Sequence, residues 1–233
     1  MLGIAIPAHN EERSIGHAVA AARQAARHAG LAGESFEIIV ALDACRDATG
    51  AEAVAAGART IELSARNVGH ARAAAARELL GLGARWLAFT DADSRADPDW
   101  LVHQLAQDAH AVCGCVSVDD WSAHGAHAAK VKAHFLSTYR AREGHGHIHG
   151  ANLGVSAHAY ARAGGFKPLA CSEDVALVQA LQSSGTRVAW SARPRVFTSA
   201  RRHGRVTGGF ADALREGPAA AAERDAGAHA RGA

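Results

Sequence analysis

Two aspartates separated by one residue carry the clearest chemical signal in this sequence. Asp91 and Asp93 flank Ala92 and follow the apolar run Trp86–Thr90, which predicts a buried strand. Because side chains alternate along a strand, both carboxylates leave its end on the same side. Such a pair of oxygen ligands suits a hard divalent cation, Mg²⁺ or Mn²⁺. In open α/β sheets the carboxyl end of a strand is also where ligands bind.

A second acidic pair lies far along the chain from the first. Glu173 and Asp174 follow Ser172 and precede the apolar segment from Val175 to Gln182, which predicts a helix. Acidic residues in a first helical turn are favoured by the helix dipole. A carboxylate in a cleft can also act as a general base. From the residues alone, both interpretations stay open.

The elements that must position these carboxylates alternate between strand and helix patterns. Such repeats predict an α/β fold with a mostly parallel central sheet and helices on both faces. Asn10 is a candidate N-cap for the first helix, with Glu11 and Glu12 in its first turn. The predicted strands are residues 2–6, 36–42, 60–63, 85–89, 111–118, 153–155, 187–190 and 196–198. The predicted helices are the segment up to 29 and residues 48–56, 67–82, 100–109, 157–163 and 175–182, with a helical region in 119–142.

The composition argues against several classes of protein. The 233 residues include 25 Lys and Arg against 23 Asp and Glu, a net charge of +2. This balance, without long blocks of one sign, gives no support for nucleic-acid binding or a polybasic membrane anchor. No apolar stretch is long enough for a transmembrane segment, and no signal peptide is evident. The spacing of the four cysteines fits neither a zinc knuckle nor a redox motif, which favours a reduced, cytoplasmic protein.

Taken in order, several motifs resemble family 2 glycosyltransferases, which have the GT-A fold. The resemblance covers roughly residues 2–210 and implies a three-layer α/β/α sandwich, with one domain at 1–215 and a low-complexity Ala/Gly tail at 216–233. The motifs that carry it are Ile4–Glu12, Asp43, Asn67–Arg72, Asp91–Asp93, Gly150–Gly154 and Ser172–Asp174.

The resemblance implies a role for each motif in sugar transfer from a nucleotide-diphosphate donor. Asp174 would be the general base of an inverting reaction, with Glu173 orienting it or binding the acceptor. Asp93 would bind Mn²⁺ or Mg²⁺, and His203 would be a second metal ligand late in the chain. The implied nucleotide-sugar contacts are Pro7, His9, Glu11, Asp43, Arg72, Asp91, Ala92, Asn152 and Arg202.

The sequence departs from the family at the end of the second strand. The family often has Asp-Gly-Ser-Thr-Asp there, whereas this chain has Asp43-Ala44-Cys45-Arg46-Asp47. Asp43 would accept the N–H of the base, and a uridine or a guanosine diphosphate sugar both remain possible donors. Asp47 is better interpreted as a helix N-cap. Arg72 could equally be a surface arginine.

Alternatives stay open for the function, for the histidine run and for the acceptor. A sugar-phosphate nucleotidyltransferase and a non-catalytic nucleotide-sugar-binding protein use similar folds, whereas a Rossmann dehydrogenase is disfavoured because no GxGxxG follows the first strand. The run His145, His147 and His149 predicts a mobile acceptor lid in preference to a separate metal site. The acceptor hydroxyl could belong to a small molecule, a glycan or a lipid-linked sugar at the inner membrane surface. The sequence does not decide whether the chain forms a homodimer.

Overall fold

A computed structural model of the chain describes residues 1–202, which alternate between strands and helices along most of their length. The strands are β1 (Leu2–Ala8), β2 (Phe36–Asp43), β3 (Arg59–Leu63), β4 (Trp86–Phe89), β5 (Ser94–Ala96), β6 (Ala111–Ser117), β7 (Leu153–Ser156) and β8 (Val188–Thr198). The helices are α1 (Ile15–Ala26), α2 (Thr49–Ala55), α3 (Val68–Gly81), α4 (Trp100–Leu105), α5 (Ala128–Thr138), α6 (Ala157–Arg162) and α7 (Glu173–Ser183).

The eight strands form one mixed sheet in the order β3-β2-β1-β4-β7-β6-β8-β5. The first four run parallel, as do β6 and β8, while β7 pairs antiparallel with both β4 and β6 and β5 pairs antiparallel with β8. The predicted α/β class with a mostly parallel sheet is therefore confirmed. The antiparallel strands were not predicted, because strand direction depends on where the chain returns to the sheet.

The alternation of side chains along β1 and β2 divides the core between the two faces of the sheet. Ile4 and Ile6 belong to a cluster that also contains the buried side of α1, whereas Ala5 belongs to a cluster with the buried sides of α3 and α7. Apart from Asp43 at the end of β2, the buried residues of these two strands are apolar, as expected for a sheet covered on both faces. This arrangement gives the three-layer α/β/α sandwich that the family resemblance implied.

Several element boundaries differ from those predicted. Helix α1 begins at Ile15 after Ser14, so Asn10 is not its N-cap. Asn10 instead lies in a turn with φ +54°, and its Oδ1 accepts a hydrogen bond from the backbone N–H of Arg46 at 2.8 Å. Strand β8 is continuous where two short strands were predicted, and β5 was not predicted at all, because three residues give too short a pattern.

Residues 118–140, with 199–202, form a second compact unit distinct from residues 1–117 and 141–198. Within it, Trp121, Phe135 and Ala200 form a small buried cluster beside α5. The rings of Trp121 and Phe135 lie 5.6 Å apart, and those of Phe135 and Tyr139 stack at 4.8 Å. The predicted single domain over 1–215 and tail at 216–233 stay predictions, since the end of the chain lies outside the described residues.

Two findings concern membrane-spanning helices and the state of the cysteines. Up to residue 202, no helix combines the length and the apolar character that crossing a membrane requires. All four cysteines are free thiols. Burial, with the nearby Asp174 carboxylate, raises the pKa of Cys113 to about 12, so this thiol stays protonated at neutral pH.

Candidate active site

The carboxyl ends of β2, β1 and β4 lie side by side and bring the donor-side residues together. Ala8 of β1 pairs with Leu42 of β2, and the N–H of Thr90, just beyond β4, donates to the carbonyl of Ala5 at 3.3 Å. The segments that begin at Pro7, Asp43 and Asp91 therefore leave the sheet at one edge. This grouping follows from the sheet topology, because parallel strands direct their carboxyl ends to the same edge.

Asp43 is buried and holds the loop that leads into α3. Its Oδ1 accepts the backbone N–H of Arg66 at 2.8 Å, and its Oδ2 accepts that of Asn67 at 2.6 Å. The Asn67 side chain then caps α3 by accepting the N–H of His70 at 2.9 Å. The carboxylate thus positions the β3–α3 loop, a function that the sequence did not reveal.

His9 is oriented by the same strand end. Its Nδ1 lies 2.6 Å from the backbone carbonyl of Asp43 and must carry the proton, because a carbonyl oxygen only accepts. Its Nε2 is then the acceptor for the Asn10 side-chain amide, 3.4 Å away. Glu11 is also buried, and its backbone N–H donates to the Thr49 hydroxyl at 2.7 Å.

Asp47 was predicted as a helix N-cap, but the N-cap of α2 is Ala48, so Asp47 lies one residue before it and binds the start of the helix from there. One of its oxygens accepts the backbone N–H of Thr49, at the start of α2, at 3.1 Å. The other accepts the backbone N–H of Glu12 at 3.2 Å. Asp47 therefore ties the loop after β1 to the start of α2.

Arg72 joins the two acidic motifs of the sequence. Its Nη2 donates to Asp91 Oδ1 at 2.5 Å, and its Nη1 donates to Glu173 Oε1. Only 4 % of the Arg72 side chain is exposed, so the alternative of a surface arginine is wrong. The charged groups at the end of β4 and at the start of α7 are therefore neighbours around a single guanidinium.

Asp174 lies beside this bridge and is held by backbone groups. Its Oδ2 accepts the N–H of Gly150 at 2.7 Å, and its Oδ1 accepts the N–H of Val175 at 2.8 Å. Helix α7 begins at Glu173, two residues earlier than predicted, so both acidic residues lie in its first turn. Each carboxylate oxygen has a second lone pair that can still accept a hydrogen bond.

Asp93 and Ala92 complete the acidic motif after β4. Asp93 is half-buried and its Oδ1 lies 3.4 Å from the hydroxyl of Ser94, whereas Ala92 is buried in the core. Among residues 1–202, no three His, Cys, Asp or Glu side chains converge as a metal site. The carboxylate of Asp93 suits Mg²⁺ or Mn²⁺ by its chemistry, but the remaining ligands of such an ion would have to come from elsewhere, as a bound diphosphate could provide.

Asn152 is completely buried, and its amide is fully engaged within the fold. Its Oδ1 accepts the indole N–H of Trp100 at 2.8 Å, and its Nδ2 donates to the carbonyls of Cys115 and Pro194 at 2.7 and 2.9 Å. A Cβ at Gly114 would overlap this amide. Asn152 therefore ties β6 and β8 to α4, and a contact with a sugar stays a prediction. Neither Trp100 nor Gly114 was singled out from the sequence.

The three histidines of the Gly144–Gly150 segment stack on one another. Ring centroids lie 5.3 Å apart for His145 and His147 and 6.1 Å for His147 and His149. His145 is buried, and its Nδ1 accepts the backbone N–H of His147 at 3.1 Å, which leaves Nε2 to donate to the Ser191 carbonyl at 3.3 Å. Stacked rings do not converge their nitrogens on one ion, and the anchored His145 does not match the predicted mobile lid.

The end of this stack lies near the acidic cluster. Burial, assisted by the neighbouring His147 and His145, lowers the pKa of His149 to about 3, while the nearby Asp91 opposes this shift. His149 is therefore neutral at pH 7. No feature of the sequence pattern indicated a neutral imidazole at this position.

Two further site residues were predicted late in the chain. Arg202 is exposed and belongs to the second unit. His203 lies outside the described residues. Their predicted contacts with the diphosphate and with the metal stay predictions.

A sequence model described as "Glycosyl transferase family 2" matches residues 3–159, more than half of the chain. The chain belongs to glycosyl transferase family 2. It is a glycosyltransferase with the GT-A fold, as the motifs predicted. No curated protein sequence matches it significantly.

Solved structures of GT-A glycosyltransferases share the fold at low sequence identity. A mannosyltransferase from Pyrobaculum calidifontis, in complex with GDP-Man and Mn²⁺, superposes with a TM-score of 0.65 at 16% identity over 87% of this chain and 58% of its own. Glucosyl-3-phosphoglycerate synthase of M. tuberculosis superposes with a TM-score of 0.58 at 16% identity over 92% and 75%. The same synthase in complex with Mn²⁺, UDP-Glc and phosphoglyceric acid gives 0.55 at 18% identity over 86% and 72%.

Proposed function

We propose that this family 2 glycosyltransferase moves a sugar from a uridine or guanosine diphosphate donor to a hydroxyl acceptor, with inversion at the anomeric carbon. The observation that carries the proposal is the Arg72 bridge, because it places the Asp91–Asp93 motif next to Glu173 and Asp174. If these motifs were far apart, a donor bound at Asp91–Asp93 and a base at Asp174 could not act on the same acceptor. The complexes of the similar structures with UDP-Glc and with GDP-Man support a nucleotide-sugar donor.

The donor nucleotide would bind at the edge formed by β1, β2 and β4. Pro7, His9 and Glu11 line the end of β1, and Asp43 lies beside them at the end of β2. Each Asp43 oxygen already accepts one backbone N–H, and its second lone pair remains suited to an N–H of the base. This charge-assisted contact would contribute to selection of the nucleotide.

The diphosphate would be bound together with a divalent cation at Asp93. The family resemblance assigns the cation to Asp93, whereas Asp91 is paired with Arg72. Oxygens of the donor would provide further ligands. A bound Mg²⁺ or Mn²⁺ stabilises the negative charge that develops on a leaving diphosphate. Arg202 and His203 are the predicted further contacts with this group.

Asp174 would accept the proton of the acceptor hydroxyl. The hydroxyl oxygen forms a bond to the anomeric carbon as the bond from that carbon to the diphosphate oxygen breaks, and the proton moves to the carboxylate. Because attack comes from the face opposite the leaving group, one displacement inverts the configuration. Backbone N–H groups of Gly150 and Val175 hold the carboxylate in place for this step.

The test measures donor binding and sugar transfer separately. UDP and GDP sugars are screened by calorimetry with and without Mn²⁺, and transfer is followed as release of nucleoside diphosphate with an acceptor library. We expect metal-dependent donor binding and a product of inverted configuration by NMR. Transfer without any divalent metal would contradict the role of Asp93, and release of pyrophosphate from a nucleoside triphosphate would identify a nucleotidyltransferase instead. Donor binding without turnover would indicate a non-catalytic binding protein.

A further inference from the structure

Arg72 is buried and is paired with carboxylates of the protein, which suggests a role other than direct contact with the nucleotide. Its guanidinium is 4 % exposed and makes ion pairs with a partly exposed Asp91 and with a buried Glu173. It also lies 5.8 Å from the ring centroid of Phe166. A charge removed from water in this way persists only when it is well paired. Each of its two Nη groups donates to one carboxylate of the protein.

Gly150 connects this ion pair to the general base. A Cβ at position 150 would overlap the Arg72 guanidinium, so the flat group packs directly against the glycine backbone. The N–H of the same glycine donates to Asp174 Oδ2. One residue thus provides space for Arg72 on one side and orients Asp174 on the other.

We propose that Arg72 is a positioning residue that sets the distance between the donor-side carboxylates and the base. Arg72 links the end of β4 to the first turn of α7 by pairing with Asp91 and with Glu173. Its contact with Gly150 also holds the peptide group that orients Asp174. It reaches neither donor nor acceptor itself. This inference rests on the proposed function for its catalytic consequence, although the positioning itself can be measured without turnover.

The geometry of the bridge requires arginine rather than a cation in general. The planar guanidinium has separate N–H groups for two carboxylates and a flat face for the glycine backbone. A lysine would keep the positive charge among Asp91, Glu173 and Asp174. Its single nitrogen, however, cannot occupy the two separate positions from which the two Nη groups of arginine donate. The conservative substitution therefore separates charge from positioning.

The experiment compares R72K with the double variant R72M/E173Q, which removes both buried charges and so avoids an unpaired one. R77M is the matched control, because Arg77 lies on the same helix α3 and is exposed. Hydrogen–deuterium exchange is measured over residues 146–152 and 172–178, donor affinity by calorimetry, and kcat by transfer. We expect faster exchange in both segments for R72K and R72M/E173Q, donor Kd within about twofold of wild type, and kcat lower by about 100-fold, as small misplacements of catalytic groups cost. R77M should match the wild type in all three.

Two outcomes would overturn the inference, and a third would overturn only the proposed function. Unchanged exchange in both segments would show that Arg72 does not hold Asp174. A donor Kd raised tenfold or more would make Arg72 a nucleotide contact. If exchange and donor affinity follow the prediction but wild-type protein transfers no sugar, the positioning stands and the proposed function fails.

Discussion

At the scale of single residues, the site depends on a carboxylate held by two peptide groups. Asp174 accepts the N–H of Gly150 and that of Val175, so its rotation is restricted before any substrate binds. Such restriction favours a base that must meet an acceptor oxygen at hydrogen-bond distance. Asn67 and Asp47 likewise bind backbone N–H groups, but these belong to helix starts and not to the acidic cluster.

Substitution of Asp174 by asparagine should remove the proposed base while keeping the shape of the side chain. We expect kcat to fall by about 100-fold to 10,000-fold, with donor affinity unchanged by calorimetry, because the proposed donor contacts lie on β1, β2 and β4. D108N is the control, since Asp108 is exposed and pairs with Arg187 at 3.0 Å, away from the acidic cluster. A D174N protein with wild-type turnover would remove Asp174 from the mechanism.

At the scale of elements, helix α3 carries Arg72, and its first turn is packed tightly. The N–H of Gly69 donates to the carbonyl of Leu169 at 3.1 Å, and a Cβ at position 69 would overlap the carbonyl oxygen of Lys167. Asn67 adds a bond from its side-chain amide to the carbonyl of Pro168 at 3.0 Å. This docking fixes the turn of α3 that carries Arg72.

The substitution G69A should therefore destabilise the fold, whereas G81A on the same helix should not. At Gly69 the backbone must move to admit a methyl group, which costs about 1–3 kcal/mol of unfolding free energy. At Gly81 no atom outside the neighbouring residues and the backbone of the same helix lies within 4 Å of the added Cβ. Helix propensity there favours alanine by up to about 1 kcal/mol. Urea unfolding of both variants measures the difference. Equal stabilities would mean that the first turn of α3 is not tightly docked.

At the scale of the whole molecule, the histidine stack makes stability depend on pH. Burial lowers the pKa of His149 from 6.5 to about 3 and also lowers that of His145, with the Ser191 carbonyl opposing the shift. A histidine in the unfolded chain keeps its ordinary pKa and binds a proton below about pH 6.5. Since the folded state does not bind that proton until about pH 3, stability is present above pH 6.5 and is lost as the pH falls.

The variant H149Q should weaken this dependence. For one such histidine, the unfolding free energy decreases by up to about 1.4 kcal/mol per pH unit between about pH 6.5 and pH 3. We expect the difference in urea-derived stability between pH 7.5 and pH 5.5 to be smaller in H149Q than in the wild type. H17Q, at an exposed position on α1, should keep the wild-type difference. An unchanged pH dependence in H149Q would show that this imidazole protonates in the folded state.

Some strands and helices could be predicted from the sequence, and others could not. Apolar runs ending in Asp43 and Asp91 predicted β2 and β4 within a residue or two. Helix α3 was predicted over 67–82, and the structure shows that Asn67 is its N-cap. Strand β5 and the antiparallel course of β7 were missed. Local patterns record burial and turns, but the direction of a strand and the pairing of a three-residue segment depend on distant parts of the chain.

The sequence by itself determined the family, the α/β alternation and the identity of the acidic residues, because each depends on residue type and local spacing. Only the tertiary structure decided that Arg72 is buried between Asp91 and Glu173 and that Gly150 orients Asp174. These contacts join positions that are remote along the chain. Their formation depends on how α3, α7 and the histidine segment pack on the sheet, and no local pattern of residues specifies that packing.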